Sequence, residues 1–127
     1  MRAALLALAV LAFASPSNAQ VLQNDPCPNA QTVIDRLDCA QDVLARADAK
    51  LNRMWKRVLA EHPSGGDRAV HRAEIRASQR AWIKFRDLDC EAASKIGIPK
   101  YWTLNQVSCQ IAHTRARTRA LRELYVE

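Results

Sequence analysis

The sequence predicts an all-α protein, a long antiparallel helical hairpin plus a third helix, forming a small disulfide-stapled bundle. Three observations predict it. Apolar residues recur at helical steps through three long segments, and no β-type alternation of useful length occurs. Two clusters of turn residues, His62-Pro63-Ser64-Gly65-Gly66-Asp67 and Gly97 to Lys100, divide those segments. Four cysteines, Cys27, Cys39, Cys90 and Cys109, are an even number in a short chain, as a disulfide framework requires.

Residues 1–19 read as a secretory signal peptide. Arg2 gives a positive start, Ala3 to Ala14 is an apolar run, and Ser17-Asn18-Ala19 offers small residues before a cut. A membrane anchor is the alternative, but that run is short of the roughly 20 residues a spanning helix needs. No cysteine directly follows the cut, which argues against a lipid-anchored form. Removal leaves residues 20–127 as one helical domain, with no further long apolar run and hence no transmembrane segment in the mature chain. The expected location is periplasmic or secreted, in a bacterium. Loss of Arg2 leaves 18 basic against 13 acidic residues, a net charge of +5, which favours anionic partners such as lipid phosphates, acidic glycans or acidic proteins.

Val21 to Asn29, with Pro26 and Pro28, resists helix and forms an irregular lead. Thr32 is suited to cap a first helix, with Asp35 completing a capping box. Leu37, Leu44, Leu51 and Val58, with Ala40, Ala47 and Met54 between them, then make a continuous seam to about Glu61. The Pro-Gly-Gly break follows, and a loop this short joins antiparallel neighbours. Asp67 or Ser64 can cap the second helix, expected over about Arg68 to Lys95. Its apolar residues Val70, Ala73, Ala77, Ala81, Phe85, Leu88 and Ala92 fall on one face, widened by Trp82. This face is expected to carry the core, with the other helices packed against it. After the Pro99 turn, a third helix from Tyr101 or Thr103 to Leu124 shows a stripe of Val107, Ile111, Thr114, Thr118, Leu121 and Tyr125.

In an oxidising compartment the cysteines are expected as two disulfides. Zinc is the alternative, and Cys109 and His113 share a helix face, but there is no C-x-x-C pair. Equal height in the hairpin favours a Cys39–Cys90 bridge. Facing argues against it, since each cysteine lies two residues past its own seam, ~200° away at 100° per residue. The lead can fold Cys27 back onto Cys39, and Cys90 and Cys109 flank a short turn. The favoured pairs are therefore 27–39 and 90–109.

Three further patterns bear on function. Arg68, Arg72, Arg76, Arg80 and Lys84 recur every four residues, either as a docking strip for phosphates or acidic glycan or as a solvated face. Arg115, Arg119 and Arg122 add a second basic stripe on the third helix. Arg86-Asp87 and Asp48-Asn52, beside the aromatic core, suit charge-assisted hydrogen bonds between helices. His62, His71 and His113 are scattered without a convincing nucleophile or acid partner. With no G-x-S-x-G, Gly-rich phosphate loop or H-E-x-x-H, no enzyme activity, cofactor or metal is expected. Nucleic acid is not an expected partner of an exported protein.

The run Leu37, Cys39-Ala40, Ala47-Asp48, Leu51-Asn52, then Ser78-Gln79-Arg80-Ala81-Trp82, Phe85-Arg86-Asp87, Cys90, and finally Cys109, Thr114 and Arg117 resembles the LprI-type lysozyme inhibitor family. The resemblance covers Cys27 to Leu121. It implies a small exported helical domain that binds and inhibits lysozyme in the cell envelope, with Asp48, Asn52, Trp82, Phe85, Arg86 and Asp87 as its structural motif. Trp55 stands where the family usually has Tyr, and Ile96-Gly97-Ile98-Pro99 replaces a Gly-Gly turn. C-type lysozymes are themselves strongly basic, so inhibition by this chain calls for a local acidic patch or an inserted uncharged loop. The tip with Ser64, Gly65 and Gly66 is the candidate loop, and Arg72, Arg76 and Arg80 are the candidate anion contacts.

Overall fold

A computed structural model describes residues 26–65 and 69–126. The expected signal peptide, the cut at residue 19, Gly66, Asp67 and Arg68 lie outside the described residues. Three helices run in order, α1 (Val33–Glu61), α2 (Ala69–Ser94) and α3 (Trp102–Tyr125), with a single 3-10 turn at Pro99–Tyr101 before α3. Among the described residues there is no strand, and no helix is long and apolar enough to cross a membrane.

Local chemistry sets the helix ends. The Asp35 amide donates to Thr32 Oγ1 at 3.0 Å and the Thr32 amide donates to Asp35 Oδ2 at 3.2 Å, so α1 opens on a complete capping box. At its other end, the Arg72 guanidinium on α2 donates to the carbonyls of Leu59 and His62, the latter at 2.7 Å. A cation thus satisfies carbonyls that the helix end leaves open, at the negative end of its dipole. α2 stops where Gly97 takes φ +118°, a backbone region that side chains with a Cβ rarely adopt. The Trp102 indole donates to the Gly97 carbonyl at 3.3 Å and holds the turn against the start of α3.

Side-chain pairs give the topology. Arg72 meets Leu59 and Arg86 meets Asp48, so α2 returns antiparallel to α1. Arg117 meets Gln79 and His113 meets Asp89, so α3 reverses again and runs parallel to α1. The organising helix is α3, which lies along both α1 and α2, whereas α1 and α2 approach each other far less closely. This corrects the expectation that the second helix carries the core.

The seam of α1 and the stripe of α3 face each other as their periodicity predicts. Ala40, Val43, Ala47, Leu51 and Val58 are buried on α1, and Val107, Ile111, Thr114, Thr118 and Leu121 on α3. Two apolar clusters result. One holds Cys27, Ala40, Val43, Val107 and Ile111; the other holds Leu51, Val58, Ile75 and Leu121. Each fully buried Val or Leu contributes about 1.5–3 kcal/mol relative to exposure.

The α2 stripe is turned the other way. Val70, Phe85 and Leu88 are 65%, 53% and 56% exposed, and Ala73, Ala77, Ala81 and Ala92 are exposed with them. The inward residues of α2 are Ile75, Gln79, Cys90 and Ser94, with Trp82 and Arg86 partly buried between them. Their spacing is as helical as that of the predicted stripe, but half of them are polar. The reason lies in what they meet on the neighbouring helices, which is itself polar.

Candidate functional site

At mid-height of the bundle, between the two apolar clusters, the motif residues build a polar lock. Arg86 projects from α2 with its side chain only 13% exposed. Its guanidinium donates to Asp48 Oδ1 of α1 at 3.0 Å, to Thr114 Oγ1 of α3 at 3.0 Å and to Asp87 Oδ1 at 2.9 Å. The Thr114 hydroxyl donates in turn to Asp48 Oδ1 at 3.3 Å, and the Gln110 amide donates to Asp87 Oδ1 at 3.3 Å. One turn along, Arg117 of α3 donates to Gln79 Oε1 at 2.9 Å and to Ser78 Oγ at 3.3 Å. Trp82 lies between the two cations, 5.4 Å from Arg86 and 5.8 Å from Arg117, with its ring presented to both. Burial lowers the Arg117 pKa, against the opposing influence of Tyr125, yet a guanidinium stays charged at neutral pH.

The lock gathers Asp48, Trp82, Arg86 and Asp87 and leaves two motif residues outside. Asn52, one turn on from Asp48, is exposed and takes no part. Phe85 lies on the outer face, its ring edge-on to His113 at 5.6 Å, instead of in the aromatic core expected for it. Gln110, Thr114 and Arg117 complete the lock from α3. In the sequence Thr114 belongs to the helical stripe of α3 and Gln110 to no pattern, because a threonine at a core position looks the same whether its hydroxyl is used or idle.

Sulfur chemistry is fully assigned. Cys27 bonds Cys39 and Cys90 bonds Cys109, the two pairs favoured on facing, and neither bridge ties α1 to α2. The first pins the lead onto α1; the second joins α2 to α3. Cys90, Cys109 and His113 come within 4.8 Å of one another, but the two sulfurs are spent on each other and offer no thiolate for zinc. Two histidines do have acid neighbours, contrary to the sequence reading. His113 Nε2 lies 2.9 Å from Asp89 Oδ2, and His71 Nδ1 lies 3.5 Å from Glu74 Oε2. Neither ring is hydrogen-bonded to a Ser, Thr or Cys nucleophile among the described residues, so no triad forms.

The candidate contact residues are scattered. Ser64 and Gly65 are exposed at the hairpin tip. Arg72 is drawn out of the proposed ridge by its bonds to the end of α1, leaving Arg76, Arg80 and Lys84 exposed along α2. A further basic feature appears only in three dimensions. α1 and α3 border an open groove of about 670 Å³, and every charged side chain lining it is basic: Arg46, Lys50, Arg115, Arg119 and Arg122. Charge is thus segregated along the bundle. Asp35, Asp38 and Asp42 are exposed on the first turns of α1, and Asp89 and Glu91 on the last turns of α2, at the disulfide end. Most of the basic residues occupy the other half.

Comparison with known proteins gives the same answer as the motif. The family described as lysozyme inhibitor LprI matches residues 24–121, a span that includes all of the lock and both disulfides. An uncharacterized protein of Rhizobium meliloti (strain 1021) is 35% identical over 134 residues, covering 98% of this chain and 96% of its own. No solved structure matches.

Proposed function

Because the chain belongs to the LprI lysozyme inhibitor family, we propose that it is an exported lysozyme inhibitor that works by occluding the enzyme, without chemistry of its own. The observation that carries this reading is the family match over residues 24–121, which takes in the whole bundle and not one helix of it. Two disulfides suit a protein that works outside the cytoplasm. Four of the six motif residues, Asp48, Trp82, Arg86 and Asp87, are consumed in the interhelical lock, which favours a contact surface elsewhere on the bundle.

Electrostatics favours one end of it. The net charge of the mature chain opposes the approach of a basic lysozyme, but at physiological salt this repulsion is screened beyond about 8 Å, so the charge local to the contact decides. The exposed Asp38 and Asp42 of α1 are the local acidic surface that supports this reading, whereas Asp89 and Glu91 of α2, toward the same end, are already paired with His113 and Lys95. The hairpin tip at Ser64 and Gly65 is the alternative point of insertion, but it sits in the basic half.

The test is a turbidity assay of cell-wall lysis with the purified mature protein, run against several lysozyme classes. Inhibition at micromolar protein is expected, and D38K/D42K is expected to weaken it for the basic enzymes. Full activity of every class at that concentration ends the proposal.

A further inference from the structure

We propose that the groove between α1 and α3 is a binding site for a multiply phosphorylated ligand. Its volume of about 670 Å³ falls within the ~300–1,000 Å³ typical of small-ligand sites. Arg46 and Lys50 stand one turn apart on one wall, and Arg115, Arg119 and Arg122 stand at steps of four and three on the other. Since α1 and α3 run parallel, the two cationic rows lie side by side along the groove. Its base is closed by the buried Val43, Ala47 and Thr118 and by Met54.

The cations are not neutralised from within. Arg46, Lys50, Arg115 and Arg119 have no hydrogen bond or ion pair from their side chains among the described residues, and Arg122 has only the exposed Glu123 at 3.9 Å. Like charges one turn apart oppose helix formation, and here two such rows also face each other. An anion that bridges the rows relieves both repulsions at once. Four of the five groups are arginines, whose planar fork matches phosphate oxygens in pairs. Phosphate is favoured over carboxylate by charge density. A phosphate monoester carries about −1.5 to −2 at neutral pH, so two or three fill the groove and neutralise it, whereas singly charged carboxylates need more room. The site stands apart from the lysozyme reading, and failure of either leaves the other in place.

The experiment is calorimetric titration of the oxidised mature protein with tripolyphosphate and with inorganic phosphate, alongside flotation with vesicles of cardiolipin, whose headgroup carries two phosphates, and of phosphatidylcholine. Two variants of equal charge change are compared, R46Q/R119Q in the groove and R76Q/R80Q on the outer face of α2. R46Q/R119Q is expected to weaken binding roughly tenfold or more, and R76Q/R80Q by less than about twofold. Tripolyphosphate is expected to bind more tightly than inorganic phosphate, which spans only one wall. Loss of tripolyphosphate binding in the groove variant marks a soluble polyphosphorylated ligand as the source; loss confined to cardiolipin vesicles marks a lipid headgroup. Amide shifts of the unmutated protein, mapped by NMR, are expected at residues 43–54 and 115–122, which keeps the test valid if a variant misfolds. Absence of binding to tripolyphosphate and to cardiolipin vesicles alike, equal weakening in the two variants, or shifts on α2 instead overturns the proposal.

Discussion

Replacement of Arg86 by Met removes the centre of the polar lock while keeping most of the side-chain volume. Three charge-assisted hydrogen bonds are lost, to Asp48, Thr114 and Asp87. Breaking a fully buried ion pair costs about 3–5 kcal/mol because the orphaned charge stays buried. Here the cost is smaller. The Asp48 and Asp87 side chains are 39% and 48% exposed, so water can take up the carboxylates, and Thr114 retains its bond to Asp48. The expected loss for R86M is therefore about 2–3 kcal/mol, offset little by the apolar replacement. For a domain of this size that lowers the melting temperature by about 10–20 °C. R86K regains less than half, since an ammonium cannot serve three acceptors in the planar arrangement of the fork. Urea titration followed by circular dichroism, with disulfides intact, measures the loss. A cycle with D48N measures the coupling, expected to be at least about 1 kcal/mol for groups in direct contact. An R86M variant within about 0.5 kcal/mol of the parent, or additive effects with D48N, refutes the lock as a stabilising element.

Other consequences are measurable in the same way. Replacing either disulfide by a serine pair is expected to cost about 3 kcal/mol, since the bridged separations of 12 and 19 residues differ little in loop entropy; unchanged urea midpoints under reducing conditions contradict this. On α2, I75A is expected to cost about 2–4 kcal/mol and F85S or L88Q less than about 0.5 kcal/mol; the reverse order means that the helix faces the other way. Lys95 holds the Glu91 carboxyl below its usual pKa, by a hydrogen bond first and by its charge second. A depressed pKa in the folded state stabilises above the ordinary glutamate range and loses that contribution as pH falls through the lowered value. Carbon-detected NMR titration is expected to find Glu91 titrating below free glutamate, and K95M to restore it.

Much of this architecture was legible in the sequence because apolar periodicity reports burial faithfully where the partner is apolar. Leu51 and Val58 on α1 and Ile111 and Leu121 on α3 are such positions, and the Thr32–Asp35 box marked its helix start to the residue. The same logic failed on α2, where the partner face is polar. Its inner row of Gln79, Trp82 and Arg86 meets Arg117, Thr114 and Asp48, so burial there follows hydrogen-bond capacity and not hydropathy. The outer row is apolar mainly through alanine, a residue placed by helix propensity as readily as by burial. Trp82 was the usable clue, since it stands off the alanine row and on the side that proved to be inside. The groove was not legible at all. Arg115, Arg119 and Arg122 formed a visible stripe, but only the parallel run of α3 along α1 sets Arg46 and Lys50 across from it.

A polar layer in a small helical core calls for a reason, because apolar residues of equal volume often stabilise as much. Register supplies one. The two apolar clusters are built largely from Ala, Val, Ile and Leu, shapes that tolerate sliding of one helix past another. Arg86 does not tolerate it. Its fork reaches Asp48 and Thr114 together only when the three helices stand at one relative height, and a slip of one turn moves each acceptor about 5.4 Å and strands the guanidinium between apolar layers. The Cys90–Cys109 bridge fixes the same height between α2 and α3 covalently, one turn beyond the lock. With register set internally by the lock and the bridge, the outer faces are released from specifying the fold. The acidic end, the hairpin tip and the basic groove can each carry a binding role without compromising the bundle that presents them.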